Sequence, residues 1–159
     1  LALKPFYTAV YADKIKHELR DKAIQAQDAM HKIIASYTLS AQGDHAGAIS
    51  LLEAAVSTDP DAFNGYAALG YEYWKAGRQQ EAVECFVEAK ERFPHRIEPY
   101  NDLARIYAAM GEVALTLKYI EELLERAPHA YQTIEHDAVF DHVRSEQPEQ
   151  YQQIIRRFC

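Results

Sequence analysis

The stretch that decides the fold runs from residue 63 to residue 96 and reads FNGYAALGYEYWKAGRQQEAVECFVEAKERFPHR. It contains Gly77 near its middle and Pro94 near its end. Glycine readily adopts the left-handed conformation that ends a helix, whereas proline cannot continue one and restricts the residue before it. Apolar residues between these two positions recur at three- and four-residue spacing, as on one face of a helix. The stretch therefore predicts a helix, a glycine turn, a second helix and a proline turn.

The same punctuation recurs along the chain with a period of 34 residues. Glycine, proline and tyrosine each keep this step, at Gly43, Gly77 and Gly111, at Pro60, Pro94 and Pro128, at Tyr66 and Tyr100, and at Tyr73 and Tyr107. A fixed period of this length, kept by three residue types, indicates a repeat protein. It predicts six helices near residues 30–42, 45–58, 62–76, 79–92, 96–110 and 113–126.

The residues inside each period resemble the tetratricopeptide repeat. The middle unit supplies most of that motif, with Tyr66, Leu69, Gly70, Tyr73, Gly77, Ala82, Phe86, Ala89 and Pro94. The unit before it matches more weakly, and the unit after it departs at Thr116 and Leu123, where the motif usually has alanine. The resemblance implies three repeats, at residues 29–62, 63–96 and 97–130, stacked as an all-α, right-handed solenoid.

The N-terminal residues 1–28 lie outside this pattern and predict a helix that caps the first repeat. Because Thr8 to Gln42 contains neither glycine nor proline, two alternatives stay open: a separate helix over about 8–27, or one long helix over about 8–42. We expect Tyr11, Ile15 and Leu19 to be protected, so that deletion of the segment lowers stability. A spare apolar face that pairs two subunits as a homodimer is the alternative to capping.

The C-terminal residues 131–159 also depart from the repeat, since aspartates occupy the positions of the motif's leucine and tyrosine. Apolar residues follow instead on either side of a proline, at Phe140, Val143, Tyr151, Ile154 and Ile155. They predict two short helices separated at Gln147-Pro148, each with one apolar edge. Since the last unit of a repeat array would otherwise expose its apolar face, we expect this segment to be a cap.

Composition and charge exclude several classes of function. The net charge of −7 argues against a nucleic-acid surface, and no apolar run approaches the roughly 20 residues that span a bilayer. Cys85 and Cys159 lie too far apart for a zinc knuckle or a redox dithiol. Two lone cysteines suit a reducing compartment and favour the cytoplasm. An upstream signal segment stays open, because residue 1 is leucine.

Catalytic and metal-binding roles find little support in the sequence. The residues that resemble metal ligands are His136, Asp137, Asp141 and His142. On a helix, the two histidines point about 240° apart, and two carboxylates alone bind transition metals poorly. We therefore interpret these residues as solvated cap residues and predict no metal, no cofactor and no enzymatic activity. The alternative is a regulatory domain of a larger enzyme whose catalytic residues lie elsewhere.

The resemblance implies a concave surface formed by the first helix of each repeat. Its inward positions that can contact a partner are Tyr37, Asn64, Tyr71, Trp74, Lys75, Asn101 and Arg105. The aromatic rings are typical anchors, the amides can bond a peptide backbone, and the two cations can hold a carboxylate. Alternatively, Tyr71 and Trp74 pack against a neighbouring helix. The sequence thus predicts a scaffold or adaptor that binds a peptide or helix of another protein.

Overall fold

A computed structural model describes the backbone of residues 4–62 and 64–158 and the side chains of residues 13–62 and 64–158. In this part of the chain the secondary structure is helical, and it contains no strand. The helices are α1 (Lys4–Ala41), α2 (His45–Thr58), α3 (Gly65–Lys75), α4 (Gln79–Arg92), α5 (Glu98–Ala109), α6 (Val113–Arg126), α7 (Tyr131–His136), α8 (Asp141–Glu146) and α9 (Pro148–Phe158). The all-α fold and the six predicted helices are confirmed, and the N-terminal segment forms the long-helix alternative.

The glycine turns have the conformation that the period predicts. Gly43, Gly77 and Gly111 have φ of +83°, +76° and +77°, in the left-handed region that side chains with a Cβ atom rarely adopt. At the end of α1, the Asp44 N–H donates to the Leu39 carbonyl at 2.9 Å, and the Gly43 N–H donates to the Ser40 carbonyl at 3.0 Å. These bonds satisfy carbonyl groups that the ending helix leaves without partners.

The chain divides into two compact units, Leu1–Ala76 and Gly77–Cys159. In the first unit, α2 packs against both α1 and α3. Its buried core includes Ile33, Ser36, Ala48, Leu52 and Ala55. Small side chains allow this close packing: a Cβ atom on Gly65 would lie 3.0 Å from Val56 Cγ1. Ser36 is buried because its hydroxyl donates to the Ile33 carbonyl at 2.7 Å, which satisfies its polar group.

The second unit contains α4 to α9. Within it α5 packs against α4 and α6, and α6 also contacts α8 and α9. The buried residues of the C-terminal segment are Ile134, Phe140, Val143, Tyr151 and Ile155. They cover the end of the unit, and the predicted break at Gln147-Pro148 separates α8 from α9. The segment is more broken than the sequence predicts, because α7 and a 3₁₀ turn at Ala138–Phe140 precede α8.

The N-terminal half of α1 corrects the expectation of a packed cap. Each residue from 13 to 28 is exposed, and Ile15 and Leu19 are 52% and 62% exposed. The prediction that these two side chains are protected is therefore wrong, while the side chain of Tyr11 lies outside the described residues. The helical pattern predicted an apolar face, but it could not predict whether anything covers that face. No helix in the described part is apolar enough over a sufficient length to cross a membrane.

Candidate functional site

Two aromatic side chains of the first unit occupy equivalent positions, 34 residues apart, on α1 and α3. Tyr37 is 50% exposed and Tyr71 is 41% exposed. The helices that carry them contact each other, and the Lys75 Nζ donates to the Ser40 hydroxyl at 2.9 Å. Trp74, one turn beyond Tyr71, is half-buried. The first unit therefore presents two tyrosine rings to solvent on adjacent helices.

A buried carboxylate joins the three helices of this unit. Glu72 on α3 is 4% exposed, and its Oε1 atom accepts hydrogen bonds from the Ser40 hydroxyl at 2.6 Å and from Lys75 Nζ at 2.7 Å. The other oxygen, Oε2, lies 2.9 Å from Nδ1 of His45 at the start of α2. Because buried charge is costly without partners, these contacts explain how a glutamate is tolerated between Tyr71 and Tyr73.

The partners of Glu72 also set its ionisation. Burial raises the pKa of the Glu72 carboxyl, but the hydrogen bonds from Lys75, Ser40 and His45 outweigh burial, and the pKa is lowered from its usual value of 4.5. A carboxylate is therefore the form present at neutral pH, and the ammonium group of Lys75 is already bound to it. We expected Lys75 to bind a partner's carboxylate; the structure instead gives it a partner within the fold.

Sequence reasoning missed this cluster. Its four residues come from the ends of α1 and α3 and the start of α2. Glu72 and Lys75 are one turn apart on α3, but no local pattern connects them with Ser40 and His45. The one available signal was Glu72 itself, an acidic residue on a helix whose neighbouring positions are aromatic or apolar. A glutamate on such a helix needs a cation or several hydrogen-bond donors nearby, and this requirement could have indicated Lys75.

Asn64 lies at the N-terminal end of α3 with φ of +67°. Asparagine is one of the few residues other than glycine that adopts this left-handed conformation readily. Its side chain is exposed and makes no capping hydrogen bond to the helix. The amide is therefore positioned at the surface of the first unit, at one end of the helix that carries Tyr71.

In the second unit, Arg105, which we predicted to contact a partner, is also paired within the fold. Arg105 on α5 forms an ion pair with Asp137, and the Val139 N–H donates to the other carboxylate oxygen of Asp137 at 3.0 Å. The pair thus connects α5 with the 3₁₀ turn at Ala138–Phe140, inside the C-terminal cap. Asn101, one turn before Arg105, is half-buried. The interpretation of Asp137 as a solvated residue is wrong, because its side chain is mostly buried in this pair.

The four residues that resemble metal ligands do not lie on a single helix. His136 ends α7, Asp137 is extended, and Asp141 begins α8, so the angular argument from one continuous helix does not apply. Asp141 pairs instead with Arg144. Within the described part of the chain, no three residues among histidine, cysteine, aspartate and glutamate are grouped so that they could hold a metal ion.

The first six helices, joined alternately by glycine turns and proline turns, define an α-helical repeat protein. Residues 63–96 match the family model described as Tetratricopeptide repeat. The chain is therefore a protein that contains a tetratricopeptide repeat. No curated protein gives a significant match to the chain. Repeats of this family are generally protein–protein interaction motifs and are typically non-catalytic.

Proposed function

We propose that the chain is a scaffold or adaptor that binds a peptide or helix of a partner protein, and that Tyr37 and Tyr71 are principal contacts. The observation that carries this proposal is the exposure of both rings at equivalent positions on two adjacent helices. Tyrosine is enriched among residues that dominate interface energies, because it buries a large apolar surface at low entropic cost. Two such rings on adjacent helices of one unit form an anchor surface.

The other candidate contact residues of the first unit lie close to Tyr71 in the sequence. Trp74 and Lys75 follow Tyr71 on α3, and Asn64 precedes it. The amide of Asn64 can donate to and accept from a peptide backbone. Because the ammonium group of Lys75 is bound to Glu72, it contributes mainly its alkyl chain. We therefore propose that this unit prefers a partner with apolar or aromatic side chains over one with an acidic terminus.

The second unit has its own candidates, Asn101 and Arg105, at the repeat positions equivalent to Ala67 and Tyr71. Arg105 is already paired with Asp137, which affects how an acidic group of a bound protein could contact it. Such a group has to displace or share an existing ion pair, and that exchange gains little free energy. We propose these two residues as partner contacts of the second unit, with weaker contributions than the tyrosines of the first.

Affinity capture from the source organism with single-residue variants tests the proposal. Replacing an exposed anchor, Tyr71→Ala, should remove about 2 kcal/mol or more of binding, which weakens the affinity at least about 30-fold. The matched control is Glu84→Ala on α4, an exposed position on the second helix of the repeat. Partners that are lost with Glu84→Ala and retained with Tyr71→Ala would place the binding surface on the second helices and overturn the assignment.

A further inference from the structure

The C-terminal cap is attached to the second unit in two different ways. Residues 131–139, which we call the strap, contain α7 and the start of the 3₁₀ turn, and among them only Ile134 is buried. The buried residues of the later part of the cap are Phe140, Val143, Tyr151 and Ile155. Because apolar burial supplies most of the free energy that holds a segment in place, the strap is attached less firmly than α8 and α9.

Polar contacts with two arginines hold the strap instead. Arg105 on α5 pairs with the carboxylate of Asp137. Arg144 on α8 donates from its two terminal nitrogens to the carbonyls of Ile134 and Asp137, at 3.0 Å each. The Val139 N–H donates to the second carboxylate oxygen of Asp137 at 3.0 Å. Asp137 is thus the residue through which the strap is joined both to α5 and to α8.

The ion pair occupies a side chain that we expect to face a partner. Arg105 follows Tyr71 by 34 residues and therefore has the same position in its repeat. A partner that contacts α5 at this position meets an arginine that already holds a carboxylate. The side chains of Arg105 and Asp137 are 42% and 20% exposed, so the pair is within reach of solvent and of competing groups.

There is also space beside the pair for a competing group. An open depression of about 540 Å³ lies along the strap, and its lining residues are Gln132, Thr133, His136, Asp137 and Ala138. Amide, hydroxyl and imidazole groups can each donate a hydrogen bond to an incoming carboxylate. An acidic side chain of a bound protein can therefore approach the Asp137 carboxylate from solvent.

We propose that the strap is an autoinhibitory segment, in which Asp137 occupies Arg105 in place of an acidic group of the partner. This inference rests on the proposed role of Arg105 as a partner contact. In the closed state the chain itself holds the Asp137 carboxylate next to Arg105, so it competes at a high effective concentration. In the open state the strap leaves α5 while α8 and α9 stay packed on α6, and Arg105 becomes available. A partner that binds Arg105 thereby selects the open state.

The exchange of carboxylates also defines the kind of acidic partner. Replacing one partly exposed carboxylate on Arg105 by another gains little free energy. A partner with a single acidic residue is therefore excluded by the strap, because Asp137 already occupies the position. A segment with several adjacent acidic residues raises the local concentration of carboxylates, which favours displacement of Asp137.

Hydrogen exchange of the wild-type chain tests whether the strap opens by itself. The amides of α7 should exchange at least about 10-fold faster than those of Tyr151 and Ile155 in α9, because opening of the strap exposes few buried contacts. Exchange of both groups at the same rate would show that the cap opens only as one unit, and this would overturn the proposal.

Chemical modification of Arg105 tests the pair with two matched variants. Asp137→Asn removes the charge opposite Arg105 but keeps an oxygen that can accept from the Val139 N–H, and Glu135→Gln removes the same charge from an exposed position of the strap. Phenylglyoxal modifies guanidinium groups, and mass spectrometry of the digested chain gives the rate at Arg105. We expect Asp137→Asn to raise this rate about 5-fold and Glu135→Gln to leave it unchanged. Equal rates in wild type and Asp137→Asn would overturn the proposal.

Binding of a labelled tetraglutamate peptide at low ionic strength measures the competition itself. Asp137→Asn should bind the peptide about 5-fold more tightly than wild type, and Glu135→Gln should bind it as wild type does. Addition of Arg105→Gln to Asp137→Asn should remove the gain. An equal gain in Glu135→Gln, or a gain that survives Arg105→Gln, would show an effect of net charge alone and would overturn the proposal.

Failure of the strap and failure of the proposed partner site are visible in different measurements. Unchanged modification of Arg105 in Asp137→Asn overturns the strap and has no bearing on the capture of partners through Tyr71. Partner capture by Arg105→Gln at the wild-type level overturns the role of Arg105 as a partner contact, while the exchange and modification rates of the strap stay as expected.

Discussion

The two ends of the chain differ in what covers the outermost helix pair. At the C-terminal end, α8 and α9 pack on α6 and bury Phe140, Val143, Tyr151 and Ile155. At the N-terminal end, residues 13–28 continue α1 away from α2 and bury no side chain. Both segments are helical and carry apolar residues at helical spacing. The comparison shows that an apolar helical pattern indicates a surface to be covered, but only the fold shows whether the same chain covers it.

The largest expected effect comes from replacing an isoleucine at each end. Ile155 is 2% exposed in the cap, so Ile155→Ala should lower the free energy of unfolding by about 2–4 kcal/mol through lost burial and a cavity. Ile15 is exposed, and Ile15→Ala should change the free energy of unfolding by less than about 0.5 kcal/mol. Urea unfolding measures both. Similar losses at the two ends would contradict the asymmetry.

A second effect concerns the polar junction in the first unit. Glu72→Gln keeps the shape of the side chain but weakens the bonds from Lys75, Ser40 and His45, and it should lower the free energy of unfolding at neutral pH by about 1–3 kcal/mol. Glu88→Gln is the control, because the Glu88–Arg92 pair lies one turn apart on α4 near the surface and contributes little. Equal effects would show that the junction does not hold the three helices together.

The same junction predicts a dependence of stability on pH. The pKa of Glu72 is lowered in the folded state from its usual value of 4.5, so the ionised group stabilises the fold above that value. This contribution is lost as the pH falls below 4.5 and through the folded-state pKa. Wild type should therefore lose more stability than Glu72→Gln between pH 7 and pH 3. Parallel pH–stability curves for the two proteins would contradict the assignment.

The glycine turns should behave alike at both ends. Gly43 follows α1, Gly111 precedes α6, and a Cβ atom at either would meet no other atom within 4 Å. The loss on substitution by alanine therefore arises from positive φ alone, about 1–2 kcal/mol at each site. Asparagine, which tolerates this conformation, should recover part of the loss. Unequal losses would mean that turn geometry, and not packing alone, distinguishes the two ends.

The fold was largely predictable from the sequence, because a 34-residue period fixes where helices end. Gly43, Gly77 and Gly111 determine the turns through backbone conformation, a local property that the sequence shows directly. The candidate site was predictable only in part. Tyr37 and Tyr71 could be placed on equivalent faces, and the three-residue spacing of Glu72 and Lys75 on α3 could have indicated their pair. The bonds of Ser40 and His45 to Glu72 and of Arg105 to Asp137 join segments that are distant in the sequence, and local spacing carries no information about them.

The smallest expected effect is that of deleting residues 1–27 on the stability of the monomer. Residues 13–27 bury no side chain, so their removal creates no cavity and leaves no polar group buried without a partner. The melting temperature at low concentration should change by no more than about 3 °C, which corresponds to less than 1 kcal/mol for a chain of this size. A large fall in melting temperature at low concentration would show that the projecting helix stabilises its own chain, and the comparison of the two ends would then fail at its central point.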